Sequence, residues 1–167
     1  MLKKVFSLVL VVSLLFAGAG LAWAAEPIKV GAPLCLTGPY AGDGLGYWRG
    51  IKMAVDELND AGGLLGRSLK IFKFDTQDFA PERVMQAADQ LVGNDKVDTI
   101  HAAWAGWGQD VRAYGKYNVP TFVWDASINS VTVFREDPKQ YSNWFQLNGI
   151  ELDIGSVSYT HLRAHET

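Results

Sequence analysis

The stretch from Ile28 to Gly66, IKVGAPLCLTGPYAGDGLGYWRGIKMAVDELNDAGGLLG, constrains the fold more than any other part of the chain. It reads as a buried strand, a glycine-rich turn and a long amphipathic helix that stops at a double glycine. The strand is the apolar run Ile28 to Leu34, with Lys29 near its exposed start. Thr37, Gly38, Pro39, Gly42, Gly44 and Gly46 follow, a density of helix breakers that predicts loop throughout. Tyr47, Ile51, Ala54, Val55 and Leu58 then recur at helical spacing, the stripe of a helix packed on a sheet. Gly62 and Gly63 supply a left-handed C-cap. Strand, turn and helix in this order place loop amides at the strand's C-terminal end, where open α/β sheets bind their ligands.

The same alternation continues downstream. Arg67 to Asp75 reads as a second strand, with Leu69 and Ile71 alternating against Lys70, Phe72 and Phe74. Pro81 suits a first helical position and Glu82 its first turn. Val84, Ala87, Ala88 and Leu91 form the buried stripe of a helix ending near Gly93 and Asn94. Val97 to Ala103 is a third strand, Gln109 to Tyr117 a helix, and Val119 to Trp124 a fourth strand. Beyond Ser130 the pattern weakens, with a fifth strand over Asn143 to Leu147 and a helix starting near Ile150. This order calls for a mainly parallel sheet with helices on both faces.

The two ends stand apart from that unit. Lys3 and Lys4, the apolar run Val5 to Phe16 and the small-x-small triplet Ala22-Trp23-Ala24 make residues 1–24 a secretory signal peptide, cleaved after Ala24. The apolar run is shorter than the roughly 20 residues of a spanning helix. Cys35 lies too far on to take a lipid anchor. At the other end, residues 157–167 (VSYTHLRAHET) share neither composition nor periodicity with what precedes them. They read as a translated transposon-type sequencing adapter, against the alternative of a genuine polar tail. The folded unit is therefore expected over residues 25–156.

Composition excludes several functions. A net charge of −3 argues against a nucleic-acid surface, and one cysteine builds neither a disulfide framework nor a thiolate metal site. Cys35 is read as a buried free thiol or as the partner of a cysteine beyond this sequence. His161 and His165 have zinc-ligand spacing on a helix but fall inside the adapter segment. His101, at a strand end, reads as a packed residue rather than a base. The glycine loop fails the dinucleotide pattern: counting from Gly42 the third glycine position is Tyr47, and from Gly44 it is Arg49. No G-x-S-x-G elbow is present, and Asp75 and Asp78 read as helix caps or rim residues. No enzyme and no cofactor is expected.

What remains is a cleft at the C-terminal edge of the sheet. The loops after strands one, three and four carry Leu36 to Gly46, Trp104 to Gly108 and Trp124 to Asn129. Their hydroxyls, amides and helix N-termini suit a carboxylate or another small anion. Trp104, Trp107 and Trp124 are candidate apolar walls, with core or interdomain packing as the competing reading. Tyr40 and Trp48 are expected nearest to a solute.

The run L-T-G-P-Y-A after the first strand, followed by A-V-D-E-L-N-D-A-G-G-L-L-G, resembles the N-terminal signature of type I periplasmic binding proteins. It is most similar to the branch of branched-chain amino-acid receptors of ABC importers. The later L-K-I-F-K-F-D-T-Q-D and the helix behind Pro81 fit the same pattern, so the resemblance covers Ile28 to about Ile154. It implies an α/β, Rossmann-like (flavodoxin-like) parallel sheet with helices on both faces, the incomplete first lobe of a two-lobe trap. It also implies a periplasmic solute-binding component that delivers an amino-acid-like solute to an ABC permease in the inner membrane. The alternative is the ligand-sensing ectodomain of a signalling receptor.

Carried over residue by residue, the resemblance places solute at two loops. The loop after strand three usually holds a serine-rich turn; here it reads Ala103-Trp104-Ala105-Gly106-Trp107, without a hydroxyl. The loop after strand four reads Asp125-Ala126-Ser127, so Ser127 carries over as an anchor and Asp125 is a candidate partner for a cationic group. Expected ligand-binding residues are Tyr40, Trp104, Ala105, Trp107, Asp125, Ala126 and Ser127, with no metal. The resemblance further implies a second lobe, and segments returning to the first, beyond this sequence. The expectation is that the chain alone leaves an apolar sheet edge and helix-docking surface exposed and holds ligand poorly.

Overall fold

A computed structural model describes residues 25–103, 106–124 and 127–151. The expected signal peptide and adapter segment lie outside the described residues. Among the described residues five strands and four α-helices alternate: β1 (Ile28–Leu34), α1 (Ala41–Asp60), β2 (Leu69–Asp75), α2 (Pro81–Ala88), β3 (Thr99–Ala102), α3 (Gln109–Gly115), β4 (Thr121–Val123), α4 (Ile128–Glu136) and β5 (Trp144–Gln146). All strand pairs are parallel, in the order β2-β1-β3-β4-β5. This is the flavodoxin-like order, as expected.

The two faces follow from strand alternation. On one, Phe72, Phe74, Ile100, Ala102, Val123 and Trp144 meet Val84, Leu91, Val111 and Tyr114 of the segments after β2 and β3. On the other, Ile28, Val30, Leu69 and Ile71 meet Ile51, Val55 and Leu58 of α1. Gly31 points to the first face and leaves room there for Ile100, whose Cδ1 would stand 2.6 Å from an added Cβ.

Three local features differ from the sequence reading. The glycine-rich stretch is not loop through Gly46, because α1 begins at Ala41 and contains Gly42, Gly44, Gly46 and Gly50. The helix axis runs so close to the end of β1 that a Cβ on Gly44 would lie 1.7 Å from the Cys35 carbonyl oxygen. Close packing, not turn formation, requires that glycine. At its far end α1 closes as anticipated: the Gly63 amide donates to Leu58 O and the Gly62 amide to Asn59 O, a Schellman motif with Gly62 left-handed.

Second, the helix after Pro81 widens into a π-helical turn over Asp89–Asn94 before it ends. Third, α4 occupies the region where the sequence pattern faded. Ser127 starts it, its Oγ accepting from the Asn129 amide at 3.2 Å. The helix expected from Ile150 falls almost wholly outside the described residues.

Candidate functional site

A parallel sheet sends the C-terminal ends of all its strands to one edge. Between β1 and β3 the chain parts, because β1 leads to α1 on one face and β3 to α3 on the other. That divergence opens a crevice, the usual ligand position in this topology.

Asp75 organises the β1 side of the crevice. The parallel register sets it opposite Leu34, so its carboxylate lands beneath the next loop. Oδ1 accepts from the amides of Leu36 (2.9 Å), Thr37 (3.3 Å) and Gln77 (2.9 Å), and Oδ2 from the Thr37 hydroxyl (2.6 Å). Burial opposes ionisation of this carboxyl, but the Thr37 hydroxyl and the three amides outweigh it and hold its pKa below the usual value. The consequence for binding is direct. The loop amides and hydroxyl that the sequence offers to a ligand anion are here committed to an internal one.

The loops after β1, β2 and β3 enclose a cleft of about 320 Å³. Tyr40 and Trp107 both line it, together with Asp78, Phe79 and Gln109. The rings of Tyr40 and Phe79 pack at 5.2 Å and 45°. Phe79 is buried beneath, while Tyr40 is 37% and Trp107 55% exposed. Trp107 has φ 55°, between Gly106 (φ 107°) and Gly108 (φ 99°). Three successive left-handed residues turn the chain sharply, and a tryptophan in that region carries a backbone cost of about 1–2 kcal/mol. Such strain gathers at sites that position a side chain for use.

Asp110, which the sequence reading did not single out, braces the next two loops. It is fully buried. Its Oδ1 accepts from the Gly108 amide (3.0 Å) and the Ser130 hydroxyl (3.3 Å), and its Oδ2 from Trp144 Nε1 (2.9 Å). One carboxylate thus ties the loop after β3 to α4 and β5. An acidic residue just after a glycine-rich loop is a helix-start signal in sequence; its partners 20 and 34 residues away are not.

The remaining expected site residues separate. Ser127 is buried, and its oxygen caps α4. Beside it the Ile128 amide donates to the Glu151 carboxylate at 2.9 and 3.1 Å. Trp104, Ala105, Asp125 and Ala126 lie outside the described residues. Trp124 is half exposed at the end of β4 and does not line the cleft. Trp48 lies on α1 beside β2, with the Lys73 ammonium 4.7 Å above its ring, and is not a cleft residue. Cys35 is a buried free thiol, 3.4 Å from the Thr76 hydroxyl, and burial pushes its pKa up to about 11. His101 packs against Phe122 at 5.2 Å with the rings tilted by 32°, and burial lowers its pKa.

The family model for periplasmic binding proteins matches residues 27–149. The chain belongs to the periplasmic binding protein family. This is a family of solute-binding proteins rather than enzymes. An amino acid binding protein of Pseudomonas aeruginosa is 36% identical over 64 residues, 38% of this chain and 17% of that protein. Among solved structures, one described as a branched-chain amino acid ABC transporter from Silicibacter pomeroyi is 30% identical, with a TM-score of 0.77. It covers 84% of this chain, which spans 36% of that one. LivJ of Streptococcus pneumoniae, a branched-chain amino acid substrate-binding protein solved with isoleucine, shares the fold. Its TM-score is 0.64 at 24% identity, over 74% of this chain and 34% of its own. The chain thus spans about a third of the length of these solved relatives, and its match covers about a sixth of the curated one.

Proposed function

We propose that the full-length protein is the extracytoplasmic solute-binding component of an ABC importer. It captures an amino acid or a similar small polar or amphipathic solute in the periplasm and delivers it to an inner-membrane permease. The observation that carries this reading is the cleft beside the β1–β3 divergence, lined by Tyr40 and Trp107, in a chain of the periplasmic binding protein family. The names of the relatives from Pseudomonas aeruginosa and Silicibacter pomeroyi support amino acids as the solute class. Residues 1–24, read as a signal peptide, supply the export step. Trp104, Ala105, Asp125, Ala126 and Ser127 extend the proposed site along the loops after β3 and β4.

The test is a thermal-shift screen of the full-length protein against amino acids, amides, organic cations and aromatic acids. A true ligand at a hundred times its Kd raises stability by about 2.7 kcal/mol. A screen in which no class raises the midpoint contradicts the proposal.

A further inference from the structure

The cleft between the loops after β1, β2 and β3 has a chemistry of its own. Two exposed aromatic side chains, Tyr40 and Trp107, line one small space, with the buried ring of Phe79 against Tyr40. Among the described residues the charged side chain in its lining is a carboxylate, Asp78, and neither lysine nor arginine lines it. The nearest arginine in sequence, Arg83, is occupied elsewhere. Its guanidinium lies 4.8 Å over Phe74, donates to the backbone oxygen of Asp75 at 2.6 Å and to Gln86 Oε1 at 2.9 Å.

Several of the backbone donors that could recognise an anion are committed as well. Asp75 takes the amides of Leu36, Thr37 and Gln77. At the start of α1 the Ala41 amide donates to Gly38 O and the Gly44 amide to Tyr40 O. At the start of α2 the amides of Arg83 and Val84 share Ala80 O, and Pro81 has none to offer. At the start of α3 the Gln109 amide donates to Gly106 O and the Gly108 amide to Asp110. Aromatic faces draw cations through their negative quadrupole, and a carboxylate beside them adds to that field.

We infer that this cleft binds the cationic group of the solute, a substituted ammonium or comparable organic cation held against Tyr40 and Trp107 with Asp78 as its counter-charge. The inference rests on the solute-binding reading above and narrows its ligand class. The strained backbone at Trp107 fits the same role, because it holds an exposed indole in the cleft rather than in the core.

The experiment is isothermal titration of the full-length protein with choline, with its neutral carbon isostere 3,3-dimethylbutan-1-ol, and with leucine. Choline is expected to bind about tenfold or more tighter than the neutral isostere. Trp107→Ala is expected to remove that preference, Trp107→Phe to retain part of it, and Asp78→Asn, at an exposed position, to weaken choline several-fold and leave the isostere unchanged. Equal binding of choline and its isostere overturns the inference, as does a preference that survives Trp107→Ala. If leucine binds and choline does not, the ligand class falls and the solute-binding reading stands. If none of the three binds the folded protein, the inference falls, and the solute-binding reading falls with it only when the wider screen also finds no ligand.

Discussion

One face of the sheet carries α2, α3 and α4 over a shared core, whereas among the described elements the other carries α1 alone, over β1 and β2. On that second face the register aligns His101, Phe122 and Phe145 across β3, β4 and β5. Their rings pack at 5.2 and 5.3 Å, with Phe145 46% and neighbouring Leu147 54% exposed. Gly42, Gly46, Gly50 and Ala54 line an open groove along α1. The contrast separates two kinds of apolar surface. One is closed by side chains that interdigitate; the other is an aromatic row left partly in water.

The largest expected effect lies where the sparsely covered face depends on a single close approach. Gly44→Val puts side-chain carbon into the Cys35 carbonyl, and should cost more than about 4 kcal/mol in urea unfolding or prevent folding. Gly46→Ala is the control. Its Cβ meets nothing within 4 Å, so the variant should gain about 0.5–1 kcal/mol from helix propensity. Equal losses in both would show that α1 does not dock as described.

Next comes the contrast between the faces. Leu91→Ala empties a fully buried site on the three-helix face and should cost about 2–5 kcal/mol. Phe145→Ala on the other face should cost under about 1 kcal/mol, since nearly half of that side chain is already in water. Comparable losses would erase the distinction.

Acid should reveal Asp75 with a smaller effect. Its folded pKa lies below its ordinary value of 3.8, so its contribution is complete above that value and is lost as pH falls through the lower folded one. Asp75→Asn should therefore flatten the decline in melting temperature below about pH 4. An unchanged acid profile would contradict the loop-anchoring role.

The smallest effect concerns His101. Burial holds its folded pKa below 6.5, so the unfolded chain takes up the proton first. Stability is complete above 6.5 and declines as pH falls through that value toward the folded one. His101→Phe should remove this slope and extend the aromatic row. Persistence of the slope in the variant would assign it to another group.

Much of the frame was legible because it is local. A continuous apolar run gave β1 and a period-two run β2, Pro81 marked the start of α2, and the paired glycines closed α1. The parallel sheet followed from the alternation of elements, and its flavodoxin-like order from the family resemblance. The start of α1 was not legible, since a glycine demanded by contact with Cys35 looks the same in sequence as one demanded by a turn. Helix α4 was obscured because Asn129, Ser130 and Thr132 dilute its apolar period, and Ser130 is held by Asp110 on another helix. In the site, Tyr40 and Trp107 were legible as aromatic residues on ligand-side loops. The closure of the β1 loop by Asp75 was not, because it depends on a strand register that joins residues about 40 apart.

Hydrogen–deuterium exchange on the full-length protein, with and without a solute that stabilises it, tests the central claim most directly. If the crevice beside β1 and β3 is the binding cleft, the solute should slow exchange in the segments Leu36 to Ala41 and Trp107 to Asp110 and leave the groove along Gly46 to Ala54 unchanged. Protection along that groove, with none in the two loops, would contradict it.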